Sequence, residues 1–105
     1  MAKIINTSQF RGDVENGKGI VVVDFFATWC GPCKMLTPVF EALGEEMRNE
    51  ARFVKVDIDQ SLEIAQKFNI STVPTMMIFK DGKAVESLVG FMPKEKIKAK
   101  VKSHL

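Results

Sequence analysis

Cys30 and Cys33 are the only cysteines in this 105-residue chain, and Gly31 and Pro32 separate them. That spacing puts the sulfurs within bonding reach across one helical turn, so the pair can cycle between dithiol and disulfide. The run Trp29-Cys30-Gly31-Pro32-Cys33-Lys34 follows a strongly apolar stretch and opens a helical pattern. A helix N-terminus offers unpaired N–H groups and the positive end of the macrodipole. Both stabilise a thiolate, the nucleophilic form of cysteine. Gly31 lets the backbone turn tightly and leaves the sulfur uncovered. Pro32 has no N–H to lose in a first helical turn, and it limits the flexibility of the ring.

Structural readings of the pair fit less well. A bridge closing so small a loop contributes only about 2 kcal/mol in the chain-entropy model, against ~4.7 kcal/mol for a 100-residue loop. Two inert buried cysteines conflict with a position at a strand-to-helix switch, where ligands and reactive groups gather in open α/β sheets. Two cysteines also exclude a disulfide-rich scaffold and a four-cysteine zinc or iron–sulfur site. The only histidine, His104, sits at the chain end and reads as an exposed terminal residue. No metal is therefore expected, and no cofactor beyond the redox-active Cys30–Cys33 disulfide.

The elements that hold this pair read as alternating strands and helices. Residues 3–6 form a short first strand, and Thr7 or Ser8 caps a helix carrying Phe10 and Val14. Asn16, Gly17 and Gly19 mark a turn. Residues 20–26 are β-branched and aromatic on both faces, as suits a central strand buried on two sides. Residues 30–47 place Leu36, Phe40, Leu43 and Met47 at helical spacing, with Pro38 inside the pattern as a kink. Residues 52–58 form the next strand. Leu62, Ala65 and Phe68 line a short helix after a Ser61 cap. Residues 75–79 and 84–89 form a hairpin through Asp81-Gly82. Gly90 ends it, and a lysine-rich helix closes the chain. Met35, Met47, Met76 and Met77 read as core fillers, and Met92 as a contact at a groove rim. The order β-α-β-α-β-α-β-β-α predicts an α/β fold: one mixed five-stranded sheet with four helices on its two faces.

Composition narrows the class. At 105 residues the chain supports one domain, residues 1–105. Hydrophobic residues at 46% and charged residues at 27% are ordinary for a globular protein and exclude disorder. No apolar run approaches the ~18 residues of a membrane span. The best, residues 20–27, is short and is interrupted by Asp24. The N-terminal segment has no signal-peptide core, so a cytoplasmic protein is expected. Net charge is +2. Residues 93–105 hold five Lys and one Glu, but Ile97, Val101 and Leu105 recur at spacing four beside them. That pattern is a solvated face over an apolar stripe and not a nucleic-acid stripe.

Beyond these local readings, residues 23–34, Val-Asp-Phe-Phe-Ala-Thr-Trp-Cys-Gly-Pro-Cys-Lys, resemble the active-site strand and turn of the thioredoxin family. Pro38 resembles its helix-kinking proline. Lys55, in Lys-Val-Asp-Ile-Asp, resembles its strand lysine. Val73-Pro74-Thr75 is similar to its cis-proline loop, and Phe79-Lys80-Asp81-Gly82 with Gly90 to its closing hairpin. The resemblance spans essentially the whole chain and implies the thioredoxin fold. Two positions depart from it. Phe26 stands where many members have a second tryptophan, which implies a packing change only. Phe91 follows Gly90 where a small residue is common, which implies a change in the partners that fit.

The resemblance implies a protein-disulfide reductase. Cys30, the more exposed sulfur, attacks a substrate disulfide as thiolate, and Cys33 resolves the mixed disulfide. Asp24, a costly carboxylate in an apolar strand, is implied to lie buried below the dithiol and to exchange a proton with Cys33. Lys55 shares that pocket and tunes it. Val73, ahead of a cis Pro74, pairs with an extended substrate segment. Trp29, Gly31, Pro32, Gly90 and Phe91 complete the substrate groove. A flavoprotein thioredoxin reductase, fed by NADPH or ferredoxin, restores the dithiol.

Substrate proteins with disulfides are the other partners, and a monomer is the default. An oxidase or isomerase is the alternative on the same fold, but Gly31-Pro32 between the cysteines favours a reductant. A redox-dependent binding subunit or regulator of a partner protein is the alternative from another class.

Overall fold

The computed structural model describes residues 2–105. Its elements in chain order are β1 (Lys3–Ile4), α1 (Thr7–Phe10), β2 (Ile20–Phe26), α2 (Gly31–Glu46), β3 (Ala51–Asp57), α3 (Leu62–Lys67), β4 (Thr75–Lys80), β5 (Lys83–Val89) and α4 (Lys94–Lys102). A π-helical turn, Arg11–Glu15, continues α1. The five strands form one sheet in the order β1-β3-β2-β4-β5. β1 and β2 both run parallel to β3, whereas β4 is antiparallel to β2 and to β5. The mixed sheet expected from the element order is therefore the one observed.

Local chemistry explains the connections. Parallel β2 and β3 need a crossover, which α2 supplies. Antiparallel β4 and β5 are joined by Asp81-Gly82, with φ of 49° and 85°. Two positive φ values make the turn type that matches strand twist. A Cβ on Gly82 would also lie 2.1 Å from the Glu15 carbonyl oxygen. The turn docks on Gly19, whose N–H donates to Asp81 Oδ1 at 2.7 Å.

Strand alternation divides the core into two layers. Ile20, Val22, Phe53, Met76, Ile78 and Leu88 face α2 and α4, where Leu36, Phe40, Leu43, Ile97 and Val101 meet them. Val21, Val23, Phe25, Val56 and Phe79 face the opposite way, toward Phe10, Val14 and Ile64. β2 is buried along its whole length, as its apolar run requires. Helices cover both faces, as expected. α2 runs through Pro38 as a single helix. Pro38 lies on the exposed side, so water can satisfy the Lys34 carbonyl that its missing N–H leaves free.

Several local expectations are corrected. Asn6, and not Thr7 or Ser8, caps α1: its Oδ1 accepts from Gln9 N at 2.8 Å while Gln9 Oε1 accepts from Asn6 N at 2.9 Å. The reciprocal pair satisfies two orphan donors, which a lone hydroxyl does not, and β1 stops at Ile4. Ser61 precedes α3 without a capping hydrogen bond from its side chain. Leu62 is exposed, and Ile64 with Ala65 forms the buried face of α3. Met35 is exposed because α2 turns that position away from the sheet, and Leu105 is exposed because it lies beyond the end of α4. Met92 is half-buried and packs on the α2–α4 layer. His104 is half-buried too, with Nε2 2.6 Å from Glu86 Oε1 on β5.

Candidate active site

Cys30 is the N-cap of α2, in extended conformation, with Pro32 in the first turn. Its Sγ accepts a hydrogen bond from the Cys33 backbone N–H at 3.1 Å. The sulfur therefore takes the place that a Ser or Asn oxygen fills at other helix starts. The two sulfurs are joined in a disulfide, with Cα atoms 5.2 Å apart.

Cys30, expected to be the more exposed of the pair, is 4% exposed against 2% for Cys33, so the order is as expected but both residues are buried. Phe26, Ala27, Ile58 and Val73 pack around both. The Val73 carbonyl oxygen lies 3.6 Å from Cys30 Sγ, so the loop before β4 covers the outer sulfur. Gly31 and Pro32 remain exposed.

That loop contains the cis Val73–Pro74 bond implied by the family resemblance. Pro74 is buried and Val73 half-buried. The Gly90 N–H donates to the Pro74 carbonyl at 2.8 Å, and Thr75 Oγ1 donates to the Thr72 carbonyl at 2.6 Å. Gly90 has φ of 89°, a conformation that side chains rarely adopt. The hairpin end and the proline loop are thus tied together beside the disulfide.

Trp29, at 68%, and Phe91, at 43% exposure, stand open at this end of the sheet. Trp29 is not a core residue. Its indole N–H donates to Asp59 Oδ2 at 2.9 Å.

Asp24 lies on the α2 side of β2, in the same alternation as Val22 and Phe26, and is 0% exposed. Neither carboxylate oxygen has a hydrogen-bond partner among the described residues. Burial pushes its pKa from 3.8 to about 7, and the Lys55 charge only partly opposes that. Lys55 is its register partner on β3. The Lys55 ammonium sits over the Phe26 ring, 4.7 Å from its centroid, and donates to Thr37 Oγ1 at 3.3 Å. Phe26 therefore does more than alter packing, since its ring face receives a cation.

The structure gathers all the residues named from the sequence at one end of the sheet, on the α2 N-terminus, the β2–β3 pair, the proline loop and the hairpin end. Asp59 and Thr37 were missed. Thr37 stands one turn after Cys33, a spacing that could have signalled a hydroxyl over the Cys33 carbonyl. Nothing local connects Asp59 to Trp29. Among the described residues no three His, Cys, Asp or Glu side chains converge as a metal site. A cleft of about 360 Å³ lined by Gly44, Arg48, Arg52 and Phe53 includes none of these site residues.

The thioredoxin family profile matches residues 1–103. The thioredoxin of Bacillus subtilis (strain 168) is 42% identical over 102 residues, covering 97% of this chain and 98% of its own. A Staphylococcus aureus (strain N315) thioredoxin is 41% identical over 101 residues, covering 96% and 95%. The crystal structure of Malassezia sympodialis thioredoxin superposes with a TM-score of 0.89 at 39% identity, covering 99% of this chain and 90% of that one.

A cysteine pair at the first turn of α2 on this fold defines a thiol–disulfide oxidoreductase. The chain belongs to the thioredoxin family, and the redox pair Cys30–Cys33 carries its disulfide reductase activity.

Proposed function

We propose that this one-domain reductase works by two successive exchanges in which Cys30 attacks and Cys33 resolves. The Cys30 thiolate bonds to one sulfur of a substrate disulfide. The substrate S–S bond breaks, and the other substrate sulfur leaves with the electron pair and takes a proton from water. Asp24 then accepts the Cys33 proton. The Cys33 thiolate attacks Cys30 Sγ, and the second substrate sulfur leaves as thiolate and is protonated in turn. The substrate has gained two electrons and two protons, and Cys30–Cys33 is oxidised. A thioredoxin reductase returns two electrons, drawn as a hydride from NADPH or singly from two ferredoxins, and solvent supplies the remaining protons.

The observation that carries this reading is the Cys30 sulfur at a helix N-cap, 3.6 Å from the Val73 carbonyl. A thiolate there is stabilised by N–H groups and dipole. An extended substrate segment pairs with the Val73 backbone and lies between Trp29 and Gly90-Phe91, with Gly31 and Pro32 beneath. Lys55 tempers the charge that Asp24 takes up. Disulfide-containing proteins of the cytoplasm are the substrates. No helix among the described residues is long and apolar enough to cross a membrane.

Equilibration in a dithiothreitol redox buffer, followed by stopped-flow reduction of insulin, tests the reading. A midpoint well below the glutathione poise with rapid insulin reduction is expected. A midpoint above that poise would make the protein an oxidase or isomerase.

A further inference from the structure

Lys55 is 8% exposed and stands opposite Asp24 in the β2–β3 register. Nevertheless the two do not form an ion pair: both Asp24 oxygens are unpartnered. The ammonium is drawn aside to Thr37 Oγ1 on α2, 3.3 Å away. The same hydroxyl donates to the Cys33 carbonyl at 3.1 Å. Alone, that second contact would be an ordinary helix back-bond. The arrival of a nearly buried cation from another element makes it a joint. A hydroxyl is the one neutral group of this size that accepts from an ammonium while donating to a carbonyl.

We propose that Thr37 is a positioning residue that holds the Lys55 ammonium against α2 and keeps it out of pairing distance of Asp24. The proposal rests on the reading of Asp24 as proton acceptor for Cys33 and extends it to how that acceptor is kept competent. A carboxylate paired directly with Lys55 would be stabilised in its charged form and would bind a proton too weakly for exchange near neutral pH.

The groups that can charge around Asp24 are few. β3 presents Lys55, and α2 presents Cys30 and Cys33 once they are reduced. β4 faces Asp24 with Met76, which is uncharged. α4 buries Ile97 and Val101 on this face, while its Lys94 and Lys98 go to Glu46. Among the described residues, Lys55 is the charged group that lowers the Asp24 pKa in the oxidised protein. Loss of the Thr37 hydroxyl frees one N–H of a nearly buried ammonium, and the unpartnered Asp24 oxygens are an open acceptor for it.

The test is the titration midpoint of Asp24 in the full oxidised chain, read by carbon-13 NMR of aspartate carboxyls, with Asp24→Asn assigning the signal. Thr37→Val, which keeps shape and removes the hydroxyl, should lower the midpoint by about one pH unit. Thr37→Ser should restore it. With Lys55→Met in place, Thr37→Val should no longer move it. An unchanged or raised midpoint in Thr37→Val, or a shift that persists without Lys55, would overturn the proposal.

The pH profile of mixed-disulfide resolution, followed with insulin by stopped flow, should move down with the midpoint in Thr37→Val. A profile untouched by Asp24→Asn would remove the proton-acceptor reading, while the NMR midpoint still decides the position of Lys55.

Discussion

Trp29 and Asp59 are joined across 30 residues of chain by an indole N–H donating to Oδ2 at 2.9 Å. The bond links the loop that ends in Cys30 to the turn after β3. That turn is itself held, because Asp57 Oδ1 accepts from the Asp59 N–H at 2.9 Å. Trp29 is 68% exposed, so packing alone does not fix its ring. Asp59 therefore orients the largest apolar surface beside the disulfide.

Asp59→Leu should loosen that ring with little loss of stability, about 1 kcal/mol or less for one exposed hydrogen bond. Trp29 is the only tryptophan, so its fluorescence anisotropy reports the ring directly. We expect lower anisotropy and a several-fold slower reduction of insulin, with reduction of a small aromatic disulfide nearly unchanged. Unaltered anisotropy would remove Asp59 from the account of the groove.

The cysteine roles separate under single substitution. Cys33→Ser should complete the first exchange and stop, leaving a stable covalent complex with the substrate protein. Cys30→Ser should leave none, because the N-cap position that stabilises an attacking thiolate belongs to Cys30 and not to Cys33. Non-reducing electrophoresis after mixing with an oxidised substrate distinguishes them. A complex formed by Cys30→Ser but not by Cys33→Ser would reverse the assignment.

Asp24 makes stability depend on pH with a defined sign. Its folded pKa of about 7 lies above the unfolded value of 3.8, so the folded chain holds the proton more tightly. The favourable contribution is complete below pH 3.8 and is lost as pH rises through 7. At about 1.4 kcal/mol per pH unit, the loss is on the order of 4 kcal/mol. In urea unfolding of the oxidised protein, Asp24→Asn should gain that much relative to the parent between pH 4 and pH 8.5. Parallel stability profiles for the two proteins would contradict a buried, neutral Asp24.

Gly82 is constrained twice, by φ of 85° and by the Glu15 carbonyl 2.1 Å from where a Cβ would stand. Gly82→Ala should cost about 2 kcal/mol or more, since both the turn and its dock must shift. Gly31→Ala meets nothing within 4 Å and lacks a positive φ, so its cost should be small. Thermal unfolding of the two variants gives the comparison.

The contrast between those glycines also shows what was legible in sequence. Asp81-Gly82 between the strand segments 75–79 and 84–89 was enough for the hairpin, because turn chemistry is local. That Glu15 lies against it was not, since it depends on how the π-helical turn rests on the hairpin. Met35 was read as core from its helix alone. It is 63% exposed because helical spacing defines a stripe without saying which edge of it meets the sheet. The buried state of Cys30 likewise needed the Val73 loop, 43 residues away, to fold over it.

The sequence by itself determined the order of strands and helices, the central buried strand and the placement of a cysteine pair at a helix start. Periodicity, β-branching and turn residues act over a few neighbours, and those features need no more. Tertiary structure alone decided that Asp24 is enclosed and titrates near pH 7, that Lys55 turns to Thr37, and that Asp59 holds Trp29. Each of these depends on strand register and on the seating of a helix against the sheet, which bring together side chains that no local spacing relates.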